Sequence, residues 1–312
     1  MRHLFIINPV AKLISGNTKK VRSSIDEFFM QYPDIRYDIY VSKWCRDAVP
    51  YIRRYLANTR LDGNTETLRI HSIGGSGTLF EVVNSVIEVP NVEVAVYPYG
   101  KLNLFVRYYK NMTAFLSLSS QVFGASRPVD VIRSGNGYGI CLGLVGLEAY
   151  ANRIGGMWVE KGMPSDPSYL VAGVSRLFDK NRSQKYEITI DGVPISGDFL
   201  SIFIANVPSY GIRLRPGVHA RPDDGKLDIY MIEDISPMKL LRYVPAYVYG
   251  HYERIPDGYF RHYSAGKIKV TSNEVMYIDV DTECFYGTSV EFEIMPGALQ
   301  VVLPDNIKEA AE

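Results

Sequence analysis

Short apolar runs alternate with amphipathic stretches along the first third of the chain. Leu4–Ile7 reads as a strand ending in Asn8-Pro9, and a polar loop from Lys12 to Thr18 follows it. Val21, Ile25, Phe28 and Phe29 then recur at helical spacing. Ile35–Val41 predicts a second strand. A helix from about Asp47 puts Ala48, Ile52 and Leu56 on one face, with Asp47 near its start, where the helix dipole favours an anion. Thr67–Ile73 and Val92–Tyr97 predict two more strands, with the Leu79–Ile87 helix between them and its Val82, Val83 and Val86 stripe. Strand–helix–strand repetition with short connections predicts a parallel sheet with helices on its faces.

After about residue 125 the pattern changes. Tyr186–Ile190 alternates and runs into Asp191-Gly192, a strong hairpin signal. Asp198–Val207, Lys226–Ile232, Lys267–Thr271, Val275–Asp281, Val290–Ile294 and Leu299–Leu303 predict further short strands. Two or three helices are expected between Gly146 and Lys180. Ser236-Pro237 opens another, with Ser as N-cap and Pro at the first helical position. The fold class is therefore α/β, a parallel-sheet domain followed by a mostly antiparallel, sandwich-like domain. The expected boundaries are 1–126 and 127–304, with residues 305–312 packing back onto the first domain or fraying.

Composition narrows the class. The chain has 312 residues, 46% of them apolar, which suffices for a buried core without disulfide or metal staples. Lys+Arg and Asp+Glu are both 34, so no broad cationic face is expected and a nucleic-acid partner is excluded. Three scattered cysteines make neither a disulfide framework nor a CxxC metal site, and they fit a reducing compartment. The five histidines have no metal-ligand spacing. No apolar run reaches the length of a membrane span. The expected location is cytoplasmic, with any lipid contact peripheral, at the inner membrane face. Tyrosines, 23 in all, include a run from Tyr243 to Tyr263 that suits a mixture of core and surface positions. An interfacial role there, at a membrane or in a homodimer, stands as the other reading. Trp44 is expected to pack in the core rather than on an adenine.

The segment most specific to chemistry is Gly74-Gly75-Ser76-Gly77-Thr78. It lies between a predicted strand and a predicted helix, where backbone N–H groups can cradle a phosphate. It matches neither the Walker loop nor the GxGxxG fingerprint, and a plain tight turn is the other reading. The glycines are expected to supply positive φ and close phosphate approach. In a parallel sheet the next loop, Gly100-Lys101-Leu102-Asn103, shares the same carboxyl edge, and Asn103 could reach a nucleotide there.

These residues, in this order, resemble the diacylglycerol kinase catalytic-domain family, which includes bacterial lipid kinases and the sphingosine and ceramide kinases and is related to NAD kinases. The resemblance runs through Asn8-Pro9, Val41-Ser42-Lys43-Trp44, the Gly74–Thr78 turn with Glu81-Val82-Val83-Asn84, and Pro128-Val129-Asp130. It continues through Gly146-Leu147-Glu148-Ala149, Ala205-Asn206, Asp224-Gly225-Lys226-Leu227-Asp228 and Asp281-Thr282-Glu283. It implies an NAD kinase-like nucleotide domain, a β-sandwich lipid domain and an active site in the cleft between them.

The resemblance also assigns roles. Asn8, Ser42, Gly74, Gly75, Ser76, Gly77, Thr78, Lys101 and Asn103 would bind nucleotide. Glu283 would be the general base, with Asp130 and Asp281 beside it in the catalytic set. Asp224, with Arg221 and Lys226 at the same turn, would hold a structural metal. ATP and Mg²⁺ are the implied cofactors and a lipid hydroxyl the implied acceptor.

Departures from the family pattern fall on one task. The family's GGDGT has Ser76 in place of Asp, and its GTGND loop has Lys101, Leu102 and Leu104 in place of Thr, Gly and Asp. Carboxylates at positions 76, 104 and 130 order the shell of Mg²⁺, a hard cation that wants oxygen ligands, and only Asp130 remains. Lys101 either replaces part of the metal's charge or is a surface lysine. Two main readings follow: a slow ATP-dependent lipid kinase acting on diacylglycerol or a related lipid, and a non-catalytic relative that binds nucleotide or lipid as a sensor or scaffold. A soluble kinase with a nucleotide-like substrate is weaker, because the later motifs match the lipid branch.

Overall fold

The structure is a computed structural model, described over residues 1–11, 14, 16–60, 63, 65–101, 103–109, 111–135, 137–180, 182–211, 214–281 and 283–305, the side chains of 166 and 196 excepted. Leu102, Thr282 and the expected back-packing of residues 306–312 lie outside these.

The chain divides into two compact units, Met1–Asp130 with the segment from Pro296, and Val131–Met295. The first begins β1 (Arg2–Ile7), α1 (Thr18–Phe29), β2 (Arg36–Val41), α2 (Ala48–Arg60), β3 (Leu68–Gly74), α3 (Ser76–Val86) and β4 (Val92–Pro98). Short helices α4 (Leu104–Arg107) and α5 (Leu118–Phe123) lead to β5 (Ser126–Ser134). β1 pairs in parallel with β2 on one side and β3 on the other, and β3 pairs in parallel with β4. Residues 300–302 of the last strand close the far edge against β4.

One face of this sheet buries Phe5, Ile7, Ile73, Tyr97 and Val302 beneath Ile25 and Phe29 of α1 and Val122 of α5. Three polar side chains share this interior. His3 and His71 share a hydrogen bond of 2.9 Å through Nδ1 and Nε2, and His71 Nδ1 lies 3.2 Å from the Tyr97 hydroxyl. Burial lowers His3 to about 4 and His71 in the same direction, so both rings are neutral at neutral pH.

The second unit contains β6 (Gly137–Gly139), β7 (Leu142–Gly146), α6 (Leu147–Glu160), α7 (Ser165–Leu177), β8 (Gln184–Ile190), β9 (Val193–Ala205) and β10 (Leu227–Glu233). There follow α8 (Pro237–Val248), β11 (Phe260–Ala265), β12 (Lys267–Val280) and β13 (Glu283–Val302). Its pairings β8–β9, β9–β10, β10–β11, β7–β9, β7–β12, β8–β12 and β12–β13 are all antiparallel. The β8–β9 hairpin turns at Asp191-Gly192, with positive φ at both residues, as the sequence predicts.

Several local expectations change. Lys267–Thr271 and Val275–Asp281 merge into β12, with an irregularity between Thr271 and Met276 that absorbs the polar interruption. Val290–Ile294 and Leu299–Leu303 likewise merge into β13. The strands β5, β6, β7 and β11 were not anticipated. Trp44 is 66% exposed rather than in the core. Its loop is held instead by Asp47, which accepts from Lys43 N and the Tyr40 hydroxyl. Ser236 occupies the N-cap of α8, yet its side chain makes no capping bond.

Candidate functional site

From β1 the chain crosses to β2 on one side, whereas from β3 it crosses to β4 on the other. The carboxyl ends of β1 and β3 therefore flank a topological switch point, the place where open parallel sheets bind ligands. Asn8 ends β1 and the Gly74–Thr78 turn ends β3. The two are tied directly: Asn8 Nδ2 donates to Thr78 Oγ1 at 3.1 Å, and Asn8 N donates to Ile73 O. Ser42, at the end of β2, reaches the same edge by donating its N–H to Ile7 O. Gly100 N donates to Gly74 O, which brings the loop after β4 alongside. Four of the predicted binding segments thus meet on one edge.

Gly75 is the N-cap of α3, so the first N–H groups of an eleven-residue helix face outward at this turn, an arrangement suited to an anion. The reason for glycine differs from the sequence expectation. None of Gly74, Gly75 and Gly77 takes positive φ. At Gly74 a Cβ would lie 2.2 Å from Thr78 Oγ1 and 2.7 Å from Thr78 Cβ, so the requirement is space.

Asn103 caps α4, its Oδ1 accepting from Val106 N at 3.1 Å. Its amide nitrogen is buried with no hydrogen-bond partner among the described residues. A buried amide donor without an acceptor is costly, so this one is suited to a ligand acceptor. A cavity of about 410 Å³ lies beside Ile73 and Tyr97, lined also by Asn17, Lys20, Ser24 and Tyr99.

The carboxylate positions look different. Leu104 is buried, Ser76 is half-buried, and Asp130 is buried with Oδ1 accepting from Gly297 N at 2.7 Å. A buried leucine, a hydroxyl and a carboxylate engaged by main chain do not fit a protein-held Mg²⁺, which wants several free oxygen ligands. Lys101 is exposed.

In the second unit Asp281 sits at φ +56 with its carboxylate turned onto main chain. It accepts from Ile140, Cys141 and Leu142 N–H at 2.8–2.9 Å. Burial raises it to about 6 against those bonds, leaving it ionised at neutral pH. Asn206 holds the same segment, donating to Ile140 O. Both act on backbone, so the Asp281 carboxylate, expected in the catalytic set, is engaged by three main-chain N–H groups. Glu283 opens β13 across from Val280 and is half-buried. At the Asp224 turn, Asp224 accepts from Lys226 N and Arg221 pairs with Asp223. Among the described residues no group of three His, Cys, Asp or Glu side chains could hold a metal ion.

Two buried carboxyl groups were missed. Glu148, in the first turn of α6, accepts from Ser201 Oγ and from the Tyr247 hydroxyl, and burial raises it. Asp279 accepts from Cys284 Sγ and from Asn152 Nδ2, and burial raises it to about 7. The signal available was the four-residue spacing of Glu148 and Asn152, which puts both on one helix face.

Residues 2–134 match the diacylglycerol kinase catalytic domain, and residues 144–303 match the YegS C-terminal NAD kinase beta sandwich-like domain. The chain belongs to the diacylglycerol kinase catalytic-domain family, a mixed α/β fold with a C-terminal β-sandwich-like domain. A curated relative in Staphylococcus epidermidis (strain ATCC 35984), named "Putative lipid kinase SERP0390", is 25% identical over 261 residues, 82% of each chain. "Putative lipid kinase SaurJH9_0749" of Staphylococcus aureus (strain JH9) is 25% identical over 240 residues, 75% of this chain and 77% of that protein. The crystal structure of a diacylglycerol kinase from Bacillus anthracis str. Sterne superposes with a TM-score of 0.68 at 19% identity, covering 97% of each chain. At that identity the likeness shows the fold. Among the described residues, no helix is long and apolar enough to cross a membrane.

Proposed function

We propose that the protein is a nucleotide-dependent lipid kinase that transfers the γ-phosphoryl group of ATP to the hydroxyl of diacylglycerol or a related lipid. The observation that carries this reading is the amide nitrogen of Asn103, buried without a hydrogen-bond partner among the described residues, in the loop that Gly100 N ties to Gly74 O at the end of β3. The exposed N–H groups of the Gly74–Thr78 turn receive phosphate oxygens, and Asn103 donates to a further acceptor of the nucleotide. The cavity beside Ile73 gives room for the nucleoside. Glu283 takes the proton of the lipid hydroxyl as its oxygen attacks the γ-phosphorus and the bond to the β-phosphate oxygen breaks, releasing ADP. Mg²⁺, when present, neutralises phosphate charge; the residues at positions 76, 104 and 130 do not make a cage for it.

Asn103→Asp tests the reading. Aspartate keeps the α4 cap but replaces the free donor with a charged acceptor. ATP affinity by calorimetry is expected to fall roughly tenfold or more, whereas Glu283→Ala is expected to bind ATP normally and lose lipid phosphorylation. ATP binding unaffected by Asn103→Asp would overturn the site. The buried Leu104 favours a second reading, a non-catalytic nucleotide binder, which predicts intact ATP binding and no turnover in the wild type.

A further inference from the structure

Donors and cations gather on the carboxyl edge of the first unit. The N–H groups at the start of α3 and the Asn103 amide nitrogen are donors. Three exposed lysines from separate segments flank them. Lys101 follows Gly100, whose N–H is tied to Gly74 O. Lys43 follows Ser42, whose N–H is tied to Ile7 O at the end of β1. Lys20, in the first turn of α1, lines the cavity beside Ile73. A lysine ammonium is a compact point charge that binds phosphate oxygens directly.

The carboxylates of the same unit that might hold a divalent cation are engaged by main chain. Glu81 on α3 accepts from Arg46 N at 3.0 Å and from Ala48 N at 3.2 Å, using both of its oxygens. Asp47 accepts from Lys43 N and the Tyr40 hydroxyl. These two close the start of α2. Asp130 accepts from Gly297 N, and Leu104 is buried and apolar. A Mg²⁺ ion carried in by the phosphates would therefore meet N–H dipoles and lysines where it wants oxygen ligands. It would also occupy phosphate oxygens that the α3 amides and Asn103 could otherwise use.

We infer that this edge takes the nucleotide as a metal-free polyanion. Lys20, Lys43 and Lys101 supply the countercharge that a divalent cation would bring, and Mg²⁺ weakens nucleotide binding. The inference rests on the nucleotide-binding reading of the Gly74–Thr78 turn and concerns the form in which the nucleotide is held there.

The test is calorimetric titration of the full-length protein with ATP, in EDTA and in saturating MgCl₂, at matched ionic strength. Wild type is expected to bind ATP roughly fivefold or more tightly in EDTA, the size expected when a doubly charged ion sits about 8 Å from three screened lysines. Inorganic tripolyphosphate should displace ATP in EDTA and lose that ability in MgCl₂. Lys43→Ala with Lys101→Ala should weaken ATP binding in EDTA roughly tenfold and bring the two buffers together. Ser76→Asp, which adds a carboxylate to the turn, should narrow the difference from the other side by improving binding in MgCl₂. The lysines are exposed, so an unchanged melting temperature separates lost charge from lost folding. Binding that is equal or tighter in MgCl₂ overturns the inference and leaves the nucleotide reading standing. A preference for EDTA that the lysine pair does not reduce overturns it as well, since the countercharge then comes from elsewhere. An absence of ATP binding in both buffers fails the nucleotide reading itself, and the inference with it.

Discussion

The side-chain amide of Asn8 donates to the Thr78 hydroxyl at 3.1 Å, joining the end of β1 to the first turn of α3. The Asn8 oxygen accepts from Val10 N, so both ends of the side chain are occupied in fixing the turn. Thr78 in turn fills the space beside Gly74, where a Cβ would collide with its hydroxyl and its own Cβ. The Gly74–Thr78 turn is thus shaped by two side chains, Asn8 and Thr78, packed around a missing one.

Gly74→Ala should therefore displace Thr78 and break its bond to Asn8. Overpacking of this kind costs about 1–3 kcal/mol, which should show as a lower melting temperature. ATP affinity should fall in the same variant, because the α3 amides move with Thr78. A Gly74→Ala protein that melts and binds ATP as wild type does would show that the turn relaxes freely and is not preorganised.

The alternating strands and helices of the first unit were legible because apolar periodicity there coincides with short connections. Leu4–Ile7 and Val92–Tyr97 read as buried strands, and buried strands they are. The strand–turn–helix at Gly74–Thr78 was legible, although the reason for glycine was not: positive φ is a habit of turns, whereas the Thr78 contact is a matter of packing. That the Asn103 oxygen caps α4 was not legible, since the helix is only four residues long. Trp44 misled because aromatic character alone says nothing of exposure. The buried Glu148 and Asp279 were legible only as far as the spacing of Glu148 and Asn152 on one helix face; their partners Ser201, Tyr247 and Cys284 come together through tertiary packing. α7 could not be read either: an apolar helix normally turns that face inward, yet Leu170 is 68% exposed where Gly155 of α6 packs against the Tyr169 backbone.

Buried ionisable groups in the two units should respond oppositely to pH. His3 is depressed from 6.5 to about 4, so the unfolded chain binds the extra proton between those values. Stability from that group is complete above 6.5 and is lost as pH falls towards 4. Asp279 is raised from 3.8 to about 7, so the folded chain holds the extra proton in that window. Its contribution is complete below 3.8 and is lost as pH rises through about 7. Each can change stability by up to about 1.4 kcal/mol per pH unit. Protection from hydrogen exchange, corrected for intrinsic rate, should rise with pH in β1 and β3 and fall with pH in β12. Asp279→Asn should flatten the second trend and leave the first untouched. Parallel trends in all three strands, or an Asp279→Asn profile identical to wild type, would contradict the assignment.

Restoring the missing carboxylates should have unequal consequences at the two positions. Ser76 is the first residue of α3, half-buried, in a first turn that has no acidic residue. Aspartate there meets the positive end of the helix dipole, worth about 0.3–1 kcal/mol, and adds a hard oxygen ligand beside the phosphate cradle. Ser76→Asp should raise the melting temperature slightly and lower the Mg²⁺ concentration needed for half-maximal lipid phosphorylation. Leu104 is buried at the start of α4, beside Phe105 and Val106, which are fully buried. Leu104→Asp would remove an apolar side chain from that interior and bury a carboxylate without a designed partner. Loss of the buried leucine alone costs about 2–5 kcal/mol, and the unpaired charge adds to it. The double variant should therefore fall short of Ser76→Asp in both stability and turnover, unless bound Mg²⁺ supplies the partner. That exception is readable directly: a double variant whose melting temperature climbs with added Mg²⁺, while that of Leu104→Asp alone does not, would show that both carboxylates hold one ion. A melting temperature for Leu104→Asp equal to wild type would mean that this loop opens to water, and the burial argument would fail.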